Sequence, residues 1–241
     1  MSYVRVTALT LGAAGLLGLA YVGYVWLSWP DVAALQHENP TGTAFIERYR
    51  SHAAADAELP QLLWHWVEYS AVSVDVKRAV VVAEDIEFFS HAGFSTAEIK
   101  AAIREALDEG EAPRGASTIT QQLAKNLWLS PSRNPLRKFK EAILTRQLEE
   151  SLTKNRILEI YLNVVEFGRG IYGVGAASDH YFGKPALQLT QLEAAMLAAS
   201  LPRPTTWHPG ADDPYYLRYV EDILARMERA EFLWKYLGNT Q

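Results

Sequence analysis

The chain has 241 residues, 49% of them hydrophobic, with 23 Lys and Arg against 28 Asp and Glu. That length suits one large domain or two small ones with a sizeable core, and a net charge of −5 without a dominant basic stripe excludes nucleic acid as the main partner. The absence of cysteine fits a cell-envelope protein that avoids unwanted oxidation.

The first signal along the chain is the uncharged run of 22 residues from Val6 to Leu27, VTALTLGAAGLLGLAYVGYVWL. As a helix it reaches about 33 Å, against about 30 Å for a bilayer core. A cleavable signal peptide has a shorter apolar region, about 7–15 residues, and no small-x-small cleavage site follows this one. Tyr21, Tyr24, Trp26 and Trp29 crowd the far end as an interfacial aromatic belt would, and Pro30 stops the helix. The run therefore reads as an uncleaved anchor. Arg5 precedes it while Asp31 and Glu38 follow, which places the short side in the cytoplasm and the rest of the chain outside it.

Residues 31–60, with Pro40, Gly42 and Pro60, read as loop with a short helical stretch. Ala79–Ala83, AVVVA, fits a buried strand as well as a helix. Helical spacing then marks 96–108, 135–151, 153–163, 190–201 and 214–237, so the domain reads as mostly α.

Three stretches carry chemistry. In 83–93, AEDIEFFSHAG, Glu84 and Asp85 directly follow an apolar run, and a carboxylate ending a buried segment has its pKa raised toward the range of a general base. The alternative is surface pairing with Lys77 or Arg78. His91 lacks any metal-ligand spacing and reads as structural or hydrogen-bonding. In 115–126, GASTITQQLAKN, Thr118 and Gln121 form a capping-box pattern, and Ile119, Leu123 and Leu127 share an apolar arc. Gln122, Lys125 and Asn126 line a second arc, which is either a solvated face or a ligand site. Lys125, Arg133, Arg137, Lys138 and Lys140 fall within 16 positions, a local cationic patch that points to an anionic ligand.

The pattern AEDxxFxxHxG followed by GxSTITQQLAKN resembles the first two signature motifs of the peptidoglycan glycosyltransferases, family 51. RKFKEAILTRQLE (137–149), KNRILEIYLNVVEFGRGIYGVGAAS (154–178) and LTQLEAAMLAASLPRPTTWHP (189–209) are similar to the other three, in order. The tail RYVEDILARM (218–227) looks like that of the short monofunctional members. Ala116 departs from the family, which usually has glycine there.

The resemblance implies a mostly α, lysozyme-like, two-lobed glycosyltransferase domain with one N-terminal transmembrane helix. Residues 1–30 would be a cytoplasmic stub and anchor, 31–60 a linker into the extracytoplasmic region, and 61–241 the glycosyltransferase domain of a bacterial inner-membrane enzyme. Such enzymes polymerise lipid II into β-1,4 glycan strands with inversion and release of undecaprenyl pyrophosphate. By motif position, Glu84 is the general base and Glu141 the second family carboxylate, orienting the donor or assisting a divalent cation (Mg or Mn). Lys125 and Arg133 clamp the pyrophosphate. Ser117, Thr118, Gln122 and Asn126 bind around it, and Asp85 orients. No permanently bound cofactor is implied. Lipid II, the growing glycan, the bilayer and other cell-wall synthesis proteins are the partners. Relatives have a mobile jaw where residues 94–114 lie, and the charges here argue against deep insertion.

In the fourth motif, Ile157, Leu158, Ile160 and Leu162 read as core, and its glycines as tight packing or turns. Ser151-Leu-Thr-Lys154 matches the SxxK of transpeptidases, but no KTG-like strand follows and Lys154 belongs to the fourth motif, so no β-lactam binding is expected.

Overall fold

The computed structural model describes Gly23 and residues 29–96, 117–131 and 135–238. The chain divides into two compact units, Met1–Asp31 and the larger Val32–Gln241. Among the described residues no helix is long and apolar enough to cross a membrane. All but one residue of the run at 6–27, and the helix expected over 96–108 beyond Thr96, lie outside them.

The larger unit is mainly helical. A 3₁₀ turn at Ala33–Gln36 precedes α1 (Ala44–Ala55), capped by the Thr43 side chain, so the region 31–60 holds more helix than its Pro and Gly content suggested. Next come β1 (Leu63–Trp64), a 3₁₀ turn at Tyr69–Ala71 and α2 (Val74–Glu84). The stretch AVVVA is thus helix. Val76 and Val80–Val82 are all fully or almost fully buried, and a helix covered on every side loses the periodicity that distinguishes it from a strand. α2 packs against α7 (Gln191–Ser200), whose Ala194, Ala195, Ala198 and Ala199 let the valines approach closely. α8 (Pro214–Arg229) packs against both α7 and α2, with Tyr216, Val220, Ile223 and Met227 as its buried stripe. Asp213 caps α8 by accepting from Tyr215 and Tyr216 N–H, and Pro214 occupies its first turn.

A second helix group joins α3 (Ile119–Trp128), α4 (Pro135–Ser151) and α5 (Lys154–Val164). Ile157, Leu158, Ile160 and Leu162 are fully buried there, as expected of the fourth motif. The expected helix over 214–237 breaks: after α8 a 3₁₀ turn at Glu231–Leu233 leads into α9 (Trp234–Leu237), and the bend buries Leu233 and Leu237.

A small sheet not expected from the spacing joins β1, β2 (Glu166–Gly168) and β3 (Ile171–Tyr172), in the order β1-β3-β2. β1 runs parallel and β2 antiparallel to β3, with an irregular register between Glu166 and Gly168. α6 (Val174–Phe182) follows at once. Its N-cap, Gly173, has φ +78°, and a Cβ there would come within 2.6 Å of the Asn163 carbonyl, so the turn from sheet to helix needs glycine.

Candidate active site

Three motifs converge where α2 ends and α3 begins. Asp85, the first residue past α2, sends Oδ2 to the Ile119 N–H at 3.0 Å and so fills a free donor at the start of α3. Both its oxygens lie 3.0 Å from His91 Nε2. His91 Nδ1 accepts from Gly93 N–H at 3.0 Å, which leaves Nε2 to carry the proton donated to Asp85. His91 is thus a half-buried hydrogen-bonding residue, as read from sequence. Lys77 and Arg78 are engaged elsewhere: Lys77 lies 3.8 Å from the Tyr69 ring centre, and Arg78 binds Asp75 and the Met227 carbonyl.

The capping box of α3 is complete. Thr118 Oγ1 accepts from Gln121 N–H at 3.3 Å, and Gln121 Oε1 accepts from Thr118 N–H at 3.0 Å. The Thr118 hydroxyl also donates to the Gly93 carbonyl at 2.8 Å, tying the second motif to the first. Gly93 has φ +90°, and a Cβ there would stand 2.7 Å from Thr145 Cγ2 on α4. Thr118 is buried, Ser117 half-buried, and Ile119, Leu123 and Leu127 all face the core.

The polar arc of α3 turns toward Glu84. Gln122 Nε2 donates to Glu84 Oε2 at 2.7 Å, and Gln122 Oε1 accepts from Tyr161 O–H at 2.9 Å. Burial raises the Glu84 pKa. The Gln122 hydrogen bond and the charges of Lys125 and Arg226 oppose that, and Asp85 adds to it. Burial lowers the Lys125 pKa, with Glu141 opposing and Arg137 and Lys138 adding to the drop. A carboxyl held above its ordinary range thus shares a field with an ammonium held below its own, a combination common where protons move. Asn126 is buried on the same helix.

Glu141 of α4 is buried between two cations: Oε2 accepts from Arg137 Nη1 at 2.8 Å and Oε1 from Lys138 Nζ at 2.5 Å. Arg137 and Lys138 are therefore more than a solvated face. The Arg137 Nε–H is buried and has no acceptor among the described residues. Both Glu141 oxygens are occupied by positive partners, and no group of three or more metal-ligating side chains occurs among the described residues. Arg133 lies outside the described residues.

Several contributors escaped the sequence reading. Tyr161 hides as one polar tip in an apolar run. Arg226 of α8 donates to the Val82 carbonyl and bears on Glu84. Glu149 and Lys154, from motifs three and four, pair at 2.7 Å, with Thr120 O–H donating to the same Glu149 oxygen and Phe88 covering the ammonium at 4.5 Å. Their only sequence signal was a charge placed among core residues.

Comparison with known proteins accounts for the convergence. The Transglycosylase family model matches residues 56–228. A biosynthetic peptidoglycan transglycosylase of Laribacter hongkongensis is 39% identical over 216 residues, 90% of this chain and 94% of the relative. Those of Azoarcus sp. (strain BH72) and Methylobacillus flagellatus are each 42% identical, over 224 and 193 residues, covering 92% and 80% of this chain and 96% and 84% of the relatives. The chain belongs to the transglycosylase family of monofunctional peptidoglycan glycosyltransferases, enzymes that polymerise glycan strands in building the cell wall.

Proposed function

We propose that this enzyme joins lipid II to a growing glycan strand by a single inverting displacement in which Glu84 is the base. The 4-hydroxyl of the incoming lipid II attacks the anomeric carbon of the strand. A new β-1,4 C–O bond forms as the C–O bond to undecaprenyl pyrophosphate breaks, and the hydroxyl proton passes to the Glu84 carboxylate. Negative charge accumulates on the departing pyrophosphate, where Lys125 and Arg133 stabilise it. Gln122, Asn126 and Ser117 line this region. Glu141 holds Arg137 and Lys138 in place beside it. Asp85 and Thr118 serve as fixed supports through the Ile119 and Gly93 backbone. The 6–27 run would keep the enzyme in the bilayer that holds both substrates, raising their effective concentration.

The observation that carries this reading is the burial-raised Glu84 carboxyl, hydrogen-bonded to Gln122 and within the field of Lys125. A lytic glycosidase would need one acidic glutamate and no cationic pyrophosphate site. The deciding experiment incubates purified wild type and Glu84→Gln with labelled lipid II. Polymer from the wild type, and a loss of about 10²–10⁴-fold in the variant, supports the proposal. Release of fragments from preformed glycan, or full activity in the variant, overturns it.

A further inference from the structure

Glu84 and Tyr161 lie on different helices and are joined by one side chain, Gln122. The amide of Gln122 is a directional coupler. Its Nε2 end faces Glu84 at 2.7 Å and its Oε1 end faces the Tyr161 hydroxyl at 2.9 Å. An ionised carboxylate can only accept, so it needs the NH₂ end of the amide. Which way a glutamine amide points is set by what each end meets: Nε2 also donates to the Ser117 carbonyl at 3.4 Å, and its orientation is fixed only when something holds the oxygen as well. Tyr161 does so: it is fully buried, and burial holds its phenol pKa well above the ordinary value, so it stays a proton donor at any working pH. Flipping the amide would aim the Gln122 oxygen at the Glu84 carboxylate, two acceptors face to face.

We infer that Tyr161 is a positioning residue of the glycosyl transfer, orienting Gln122 so that its amide N–H supports the ionised, proton-accepting form of Glu84. The inference rests on the reading of Glu84 as base. The other groups bearing on Glu84 come from three elements: Asp85 beside it, Lys125 on α3, and Arg226 and Tyr219 on α8. Lys125 is in turn influenced by Glu141, Arg137 and Lys138 of α4. None of these touches the Tyr161 hydroxyl in a hydrogen bond, so removing that hydroxyl tests the coupler selectively.

The test follows polymerisation of labelled lipid II against pH for wild type, Tyr161→Phe, Gln122→Ala, the double variant and Glu84→Gln. Tyr161→Phe is expected to move the acid limb of kcat upward by about half a unit to one unit, what one lost hydrogen bond supplies. The loss concentrates at low pH and shrinks as pH rises. In the Gln122→Ala background, Tyr161→Phe is expected to move the limb no further. An unmoved limb, a uniform loss at every pH, or an equal shift without Gln122 overturns the inference. Should Tyr161→Phe fail to melt cooperatively, Gln122→Ala alone decides, an upward limb supporting and an unmoved one refuting. A fully active Glu84→Gln would instead refute the base itself, so the two failures are distinguishable.

Discussion

The Asp85 carboxylate accepts the Ile119 backbone N–H at 3.0 Å, so the residue after Glu84 is also the anchor of the helix that carries Gln122 and Lys125. Through His91 the same carboxylate holds the turn that ends at Gly93. Asp85→Ala strips a buried acceptor from both and is expected to cost about 2–3 kcal/mol, the range for hydrogen bonds to a buried charge. Asp85→Asn keeps one acceptor for Ile119 and should recover part of that. Urea unfolding midpoints check this, and an alanine variant as stable as wild type would show that the carboxylate is dispensable to the fold.

These supports show why the site was only partly legible in the sequence. The capping box at Thr118 and the apolar arc of α3 are local, with partners three and four positions apart, so spacing reveals them. The links that make the site join residues far apart in the chain: Asp85 to Ile119, Gln122 to Glu84, Tyr161 to Gln122. No period records such pairs. The motifs named which segments matter and left open which atoms meet. The sheet was hidden for another reason, since strands of two or three residues are too short to show alternation. Tyr161 carries no periodic signal of its own, because its ring is core and only its hydroxyl takes part in the site.

Burial sets the site against the stability of the fold. The raised Glu84 pKa means that its ionised form is disfavoured in the folded state, so its contribution is favourable below the ordinary glutamate pKa and is lost as pH rises through the raised value. Glu84→Gln keeps an uncharged side chain at every pH. The variant is therefore expected to melt higher than wild type near pH 8 while polymerising poorly, with the gap closing below about pH 4.5. Paired thermal melts at the two pH values measure it. A variant that melts lower than wild type at pH 8 would count against a strained, buried carboxylate.

The rate profile should be narrowed from both ends. As the proposed base, Glu84 would have to be ionised to accept a proton, and its raised pKa then places the acid limb above the ordinary carboxylate range. In the proposed pyrophosphate role Lys125 would have to be charged, and its lowered pKa then places the basic limb below the ordinary lysine range. Lys125→Arg keeps the charge far beyond that limb. The basic limb should then move up or vanish, even where the maximal rate falls. A limb that stays put in the arginine variant belongs to another group.

Lys154 ties the third and fourth motifs together, and this decides between two meanings of Ser151-Leu-Thr-Lys154. A transpeptidase-type lysine would be free to work on its serine. Here the ammonium is paired with buried Glu149 at 2.7 Å and covered by the Phe88 ring, while Thr120 O–H donates to the same Glu149 oxygen. Lys154→Met leaves that carboxylate buried and short of a partner, and is expected to cost about 3 kcal/mol. Adding Glu149→Leu removes the stranded charge and should return most of the loss, because an apolar pair replaces an ionic one at little net cost. Denaturation of the two singles and the double forms a complete cycle. With labelled penicillin, intact-mass measurement is expected to find no acyl adduct on the wild-type chain. An adduct mapping to Ser151 would show that Lys154 leaves Glu149 often enough to act as a base.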